Sequence, residues 1–389
     1  MLNIFLFLAL VFIFTFIIGR IIEKIHIPWV FAALILGSLL AFKNPFSSVT
    51  SSQSFVFLAQ LGMYFLLFVI GFEIDLKEMK KKSKFIFKAT FFIILFEALF
   101  GSLLLHFVFG YGWLISCLVA LSFATVGEAM LVPILDKFKI TNTKLGQTLI
   151  GIGAIDDIIE IVVLISVIGL IGLQSQTRLN VSLNFISLFF LFLLTIFFIN
   201  FKKKGKKFGF QSIETLFLFS LFVLFLFLGV GKYSESTALA ALLAGLSLKT
   251  FIPKERLRLI EKEIKSVCYG LFAPLFFLWV GLTMNINYLF IHPLLVLVVM
   301  LVSNGTKIFS SYLIGKKELG TKKSILLGIG LSVRFSTSLI IIKILFENGL
   351  IGSGLYSVLI ASSILQKFIV PLLFSNLLVR WKIARKHKS

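Results

Sequence analysis

Three carboxylates lie close together inside one of the most apolar stretches of the chain. The segment GIGAIDDIIE places Asp156 beside Asp157, with Glu160 one helical turn further on. An ionisable side chain at membrane depth costs roughly 2.5 to 3.5 kcal/mol on insertion scales and usually marks an ion or proton pathway. Two adjacent acids in apolar surroundings need a cation or a proton beside them and titrate as a pair. We therefore predict an ion site at Asp156 and Asp157, whereas Glu160 either lines the access path or bonds a neighbouring hydroxyl.

Lys307 is a second charged residue inside an apolar run, in the segment VSNGTKIFSSYL. Its ammonium needs an acidic partner at this depth, unless the side chain extends to the membrane surface. The next basic residue, Lys316, is distant enough to favour pairing. Asp156 is the best candidate partner, because this pairing would leave Asp157 for the cation.

Two other spans carry polar residues and glycine where a membrane helix is easily interrupted. The segment LSFATVGEAM contains Thr125 and Glu128, and the segment LLGIGLSVRFSTS contains Arg334 and Ser336. Interrupted helices at membrane depth expose carbonyls and hydroxyls that coordinate a dehydrated cation. Ordinary packing glycines are the competing explanation. We expect Thr125 and Glu128 at the ion site, while Arg334, with Ser336, either anchors a half-helix end or contacts the ion.

The composition of the whole chain is that of a polytopic membrane protein. The 389 residues are 59% hydrophobic and only 14% charged, whereas soluble domains are about 45 to 50% apolar. Since a membrane helix needs about 20 apolar residues, the pattern predicts an all-α fold with about thirteen transmembrane helices. The predicted spans are 2–19, 28–42, 55–72, 85–109, 112–136, 145–172, 182–200, 212–230, 235–249, 267–285, 290–315, 324–346 and 353–379.

The positive charge of the chain follows this topology. Most of the 38 Lys and Arg residues, which give a net charge of +21, fall in alternate loops, and only Lys43, Arg178 and Lys232 fall in the others. Cytoplasmic loops retain positive charge, so we predict the N-terminus outside and the C-terminus in the cytoplasm. The basic charge is then topological, and nucleic acid is not an expected partner.

Thirteen spans divide into six, a connecting span at 182–200 and six more. The two sets of six would enter the membrane from opposite sides, as in an inverted repeat. Only nine residues follow Arg380, so we expect residues 1–389 to form a single transmembrane domain with no C-terminal soluble domain.

Five segments, in this order and together with the double aspartate, resemble one known family. They are RIIEKIHIPWVFAALILGSLL, LGMYFLLFVIGFEIDLKEMKK, KLGQTLIGIGAIDDIIEI, KYSESTALAALLAGLSL and APLFFLWVGLTMNI. The chain resembles the cation:proton antiporters with the sodium/hydrogen exchanger fold, in the NapA-like and KefB-like branch, over nearly its whole length.

The resemblance implies a division into two bundles. Residues 85–172 and 290–381 would form the transport core, in which the fifth and twelfth spans cross as broken helices. Residues 1–84 and 211–285 would form the dimerisation bundle of a homodimer that works by elevator-like alternating access.

The resemblance also implies roles for individual residues. Asp157 would carry the cation and the proton, Asp156 would bond to Lys307, and Thr125 would lie at the helix break. The chain departs from the family twice, since Arg334 lacks the acidic residue that often follows two positions later, and Glu128 stands where many members have an apolar or hydroxyl residue. Both departures leave the cation selectivity open.

The sequence thus predicts a secondary active transporter rather than an enzyme, which exchanges Na+, Li+ or K+ for protons in pH homeostasis. We expect it in the inner membrane of a bacterium, with cations and protons as substrates and no cofactor. The alternatives are a potassium efflux protein lacking its regulatory domain, a carrier of organic anions, or an intramembrane aspartyl protease. The last would carry its two aspartates on separate helices.

Overall fold

A computed structural model describes residues 3–24, 27–73, 83–124, 126, 128–174, 178–200, 212–233, 236–252, 254–333 and 336–383. Of side chains within its helices, those of residues 128–130, 133, 137, 172–174, 178–185, 254, 255 and 336 are not described. Every regular element in the described part of the chain is helical. The predicted all-α fold is therefore confirmed.

Eighteen α-helices follow one another along the described chain, and a π-helical turn, Cys268–Phe272, lies between the twelfth and thirteenth. The first nine are α1 (Ile4–Glu23), α2 (Phe31–Leu40), α3 (Ser47–Thr50), α4 (Gln53–Glu73), α5 (Lys84–Phe109), α6 (Trp113–Phe123), α7 (Glu128–Lys137), α8 (Lys144–Gln174) and α9 (Arg178–Asn200). The rest are α10 (Ile213–Lys232), α11 (Thr237–Phe251), α12 (Lys254–Val267), α13 (Ala273–Leu282), α14 (Ile286–Ile291), α15 (Pro293–Leu319), α16 (Thr321–Leu331), α17 (Ser336–Glu347) and α18 (Ser353–Arg380).

Each of the thirteen predicted spans overlaps at least one of these helices. Seven helices of the described chain are long and apolar enough to cross a membrane. The 31-residue α8 is also long enough, at about 46 Å, although it carries three carboxylates. The fifth and twelfth spans are pairs of helices of 10 to 12 residues. Since each member is only about 15 to 18 Å long, no single one crosses the bilayer.

Two compact units share the chain. One consists of residues 1–12, 45–74 and 164–279, and the other, called here the second unit, of residues 13–44, 75–163 and 280–389. Unit boundaries fall within α1, α8 and α13. The transport and dimerisation bundles, and the inverted repeat, stay predictions.

In the first unit, α4 and α11 approach each other closely through two glycines. A β-carbon at Gly245 would lie 2.1 Å from the carbonyl oxygen of Phe68, and one at Gly71 would lie 2.1 Å from that of Leu242. Small residues allow such backbone approach between membrane helices, whose association depends on van der Waals packing. The two glycines therefore fix the distance between these helices.

In the second unit, α15 and α16 form a hairpin through Gly320, whose φ of 81° suits glycine. A β-carbon at Gly328 would lie 2.4 Å from the α-carbon of Ile308. The end of α16 is thus held against α15 beside Lys307.

The variant Gly245→Ala should unfold at a lower temperature than the wild type, because the added methyl group must push α4 away. Overpacking of this kind costs about 1 to 3 kcal/mol. Scanning fluorimetry of the protein in detergent measures the change. Gly229→Ala is the matched control, since nothing lies within 4 Å of a β-carbon there. Equal unfolding temperatures for the two variants would contradict the close approach.

Candidate ion-binding site

Helix α8 positions the predicted acids. Asp156 is 1% exposed and Glu160 is buried, whereas Asp157 is partly exposed. The helix packs closely on α5, because a β-carbon at Gly151 would lie 2.6 Å from Cδ1 of Ile86. Of the two adjacent aspartates, Asp157 is therefore the more accessible.

The first helix interruption lies against Asp156. Helix α6 ends at Phe123 and α7 begins at Glu128. Between them, the backbone N–H of Val126 donates a hydrogen bond of 2.5 Å to Oδ2 of Asp156. The N-terminal end of a helix carries a partial positive charge, which favours a neighbouring anion. The carboxylate thus stabilises the interruption that precedes α7.

The second interruption lies against Lys307. Helix α16 ends at Leu331 and α17 begins at Ser336. The ammonium of Lys307 donates a hydrogen bond of 2.8 Å to the carbonyl oxygen of Leu331. The last carbonyls of a helix have no intrahelical donor and carry a partial negative charge, which favours a cation. The two interruptions are thus contacted by side chains of opposite charge.

Glu97 on α5 completes this group. Its Oε2 lies 3.5 Å from Nζ of Lys307, and its Oε1 accepts a hydrogen bond of 2.7 Å from the hydroxyl of Ser303. Glu97 is 3% exposed and Lys307 is 1% exposed. Asp156 interacts electrostatically with Lys307, Asp157 and Glu97. All of these residues belong to the second unit.

Among the described residues, the formal charges of this group do not balance. Across the 3.5 Å separation, the attraction between Lys307 and Glu97 is about 5 kcal/mol at an effective dielectric constant near 20. Removal of an ion from water costs several kcal/mol in a protein, so one ammonium does not compensate Glu97, Asp156 and Asp157 together. Within the described part of the chain, burial of Glu97 and Asp156 beside one ammonium leaves a negative charge that a proton or a cation would compensate.

The described residues account for part of the predicted site. Asp156, Asp157 and Lys307 share one electrostatic group, and the direct bond between Asp156 and Lys307 stays a prediction. Thr125 and Arg334 lie outside the described residues. Two other predicted residues begin helices next to the interruptions, but their side chains are not described: Glu128 in α7 and Ser336 in α17. Their contacts with an ion stay predictions, as does the role of Glu160.

Sequence reasoning did not assign Glu97 to the site. It is an isolated acid in the middle of a predicted span, which marks it as a partner for some buried cation without saying which. Besides Lys307, Lys343 and Lys367 also lie inside the predicted spans and are described. Lys343 bridges Glu347 at 2.8 Å, and Lys367 lies over the ring of Phe31 at 3.9 Å. Only the folded chain shows that Lys307 is the lysine next to Glu97.

The described part of the chain contains no group of three or more His, Cys, Asp or Glu residues arranged to hold a metal ion. A monovalent cation would here be a substrate rather than a resident cofactor. Acids and a lysine buried around two interrupted helices, in an all-helical membrane protein, are features of secondary transporters.

Comparison with known proteins identifies the family. The family model described as "Sodium/hydrogen exchanger, transmembrane" matches residues 8–380, and the chain belongs to this family. It is 26% identical to the probable Na(+)/H(+) antiporter 3 of Methanocaldococcus jannaschii, over 96% of each chain. It is 25% identical to a Na(+)/H(+) antiporter of Enterococcus hirae, over 94% of this chain and 96% of the other.

The fold matches that of a solved structure. The sodium proton antiporter MjNhaP1 from Methanocaldococcus jannaschii, at pH 8, superposes with a TM-score of 0.64. The match covers 97% of this chain and 96% of the other at 20% identity, which establishes a shared fold.

The variant Lys307→Met should be less stable than the wild type, because Glu97 loses its cation and Leu331 loses its donor. Removing one partner of a buried ion pair costs about 3 to 5 kcal/mol. Adding Glu97→Gln should recover part of this loss, since the buried charge is then removed as well. Thermal unfolding in detergent measures both effects.

Lys144→Met is the matched control, because the side chains of Lys144 and Glu318 are 60% and 51% exposed. Exposed pairs contribute at most about 1 kcal/mol. A double variant no more stable than Lys307→Met would argue against the pairing of Glu97 with Lys307.

Proposed function

We propose that the protein exchanges a monovalent cation, Na+ first and Li+ or K+ as alternatives, for protons across a membrane. The observation that carries the proposal is that two buried carboxylates, Glu97 and Asp156, surround one ammonium, Lys307, among the described residues next to two interrupted helices. Such a group cannot remain without compensating charge. Protons and cations compete for the same oxygen atoms, so binding of one releases the other.

Asp157 is the proposed carrier. It is partly exposed, whereas Asp156 is buried and accepts a hydrogen bond from the backbone N–H of Val126. A carboxylate that already accepts a backbone hydrogen bond is less available to a passing ion. We assign Asp156 to positioning and charge balance, and Thr125, Glu128 and Ser336 to the polar surroundings of the cation.

Lys307 and Arg334 have the complementary role in this proposal. The ammonium of Lys307 stabilises the end of α16 and balances one acid throughout the cycle. Arg334 would anchor the start of the second half-helix, and Glu160 would line the access path. Alternating access then exposes the remaining carboxylate charge to one side of the membrane at a time.

The two relatives described above support cation and proton exchange, since both are named Na(+)/H(+) antiporters. An intramembrane aspartyl protease is disfavoured, because Asp156 and Asp157 lie on the same helix. No enzymatic step and no cofactor enter the proposal. Assembly as a homodimer in a bacterial inner membrane is part of it.

Asp157→Asn should abolish cation-dependent proton movement, because the amide neither releases a proton nor neutralises a cation. Everted vesicles or proteoliposomes with a pH-sensitive dye provide the measurement, with Na+, Li+ and K+ added separately. Asp136→Asn is the control, since this aspartate is exposed in the last turns of α7. Persistent Na+-driven dequenching in Asp157→Asn would disprove the assignment. Cation flux without any proton movement would instead favour a potassium efflux protein.

The proposed orientation predicts which loops face the outside. In a variant without Cys117 and Cys268, the substitutions Asn44→Cys and Lys232→Cys should react with a membrane-impermeant maleimide in intact cells. Lys322→Cys should react only after lysis, because it follows a basic loop that belongs in the cytoplasm. The opposite labelling pattern would invert the topology.

A further inference from the structure

Helix α18 contains polar side chains that the proposed ion site does not use. Ser362, Ser363 and Gln366 are each 0% exposed. Both hydroxyls, and both the oxygen and the nitrogen of the Gln366 amide, have no hydrogen-bond partner in the described part of the chain. An unsatisfied buried polar group costs about 1 to 3 kcal/mol, and most such groups bond to the protein or to ordered water. Several of them within two helical turns need an explanation.

These side chains share one face of α18. Ser362 and Ser363 precede Gln366 by four and three residues, and Leu359 precedes both serines by about one turn. Leu359 lines a small cavity together with Glu97, Ser303 and Thr306. The face therefore points toward α15, on which Ser303 and Thr306 lie.

Helices α15 and α18 run in the same direction, because their first turns lie at the same end of the second unit. The N–H of Asn285, eight residues before α15, donates to the hydroxyl of Ser357, and a β-carbon at Gly354 would meet the ring of Tyr288. Both helices rise 1.5 Å per residue. Since Leu359 lines the same cavity as Ser303 and Thr306, Ser363, one turn further along α18, lies near the level of Lys307.

Helix α15 contributes a fourth polar residue, one turn beyond the level of Lys307. Ser311 lies one turn beyond Lys307, is 0% exposed, and its hydroxyl has no partner among the described residues. Ser311, Ser362, Ser363 and Gln366, called here the polar seam, thus lie on two helices that pack on each other. Together they offer enough donors and acceptors for bound water, which typically makes two to four hydrogen bonds.

We propose that the polar seam binds a short file of water molecules, which reaches the level of Lys307 and forms part of the route of ions to the site. The role of the seam in transport rests on the proposed function, whereas the presence of water in the seam does not. The serine hydroxyls and the Gln366 amide replace part of the hydration shell of a small cation. Apolar side chains at these positions would close the route.

Reaction with Ag+ tests the hydration of the seam directly. The probe is a small monovalent cation that displaces the proton of a thiol and forms an S–Ag bond. In a variant without Cys117 and Cys268, the single substitutions Ser362→Cys, Ser363→Cys and Gln366→Cys should react with Ag+ in proteoliposomes. Protection from later alkylation in denaturant measures the reaction.

Ser247→Cys is the matched control, because Ser247 is also buried and its hydroxyl also has no partner among the described residues. It lies on α11 in the first unit. We expect no Ag+ protection there. Absence of protection at all three substituted positions, or equal protection at Ser247→Cys, would overturn the proposal even if the wild type exchanges cations. Protection of the seam cysteines, together with a wild type that moves no protons, would instead refute the proposed function alone.

The variant Gln366→Met separates transport from packing. Replacing an unpaired amide by an apolar side chain of similar size should leave stability unchanged or raise it, while loss of its bonds to water and ion should slow exchange about tenfold. Ser247→Ala should leave exchange unchanged. Wild-type exchange in Gln366→Met would show that the seam has no role in transport, and a loss of exchange that matches a loss of folded protein would show that Gln366 is structural.

Discussion

The structure depends on how two helix ends are stabilised at membrane depth. The chain interrupts both the fifth and the twelfth span, which exposes backbone N–H and C=O groups where water is scarce. Asp156 accepts a hydrogen bond from Val126 in the first interruption, and Lys307 donates one to Leu331 in the second. Each side chain has the charge that the neighbouring helix end favours. The buried charges and the broken helices therefore stabilise each other.

This arrangement divides the acids into two kinds. Glu97 contacts Ser303 and Lys307. Asp156 accepts a hydrogen bond from the backbone N–H of Val126. Asp157 is more accessible than either and interacts with the same electrostatic group. A site that must bind and release ions needs one group that can change its partner without unfolding its surroundings. In the proposed function, the fixed charges provide the frame and Asp157, the more accessible acid, provides the exchange.

The sequence was sufficient to predict the helices, because apolar runs of about 20 residues have few alternatives in a membrane protein. It also indicated Asp156, Asp157 and Lys307, since charges within such runs are rare and costly. It could not assign Glu97 to Lys307, because side-chain periodicity says nothing about which of several buried acids a distant helix brings near. Contacts made by backbone atoms, such as the carbonyl of Leu331, leave no mark in the residue types at all.

The role of Lys307 limits which step of a transport cycle can involve the lysine itself. Its ammonium contacts Leu331 and Glu97 at once, so a loss of its proton would remove a donor from a helix end and a cation from a buried acid. Both losses are costly in a low-dielectric interior. In the proposed function, a lysine held in this way acts as a fixed counter-charge, and the proton released when a cation binds comes from a carboxyl group. Glu97 and Asp156 have partners in the described part of the chain, and the proposed function therefore gives this step to the more accessible Asp157.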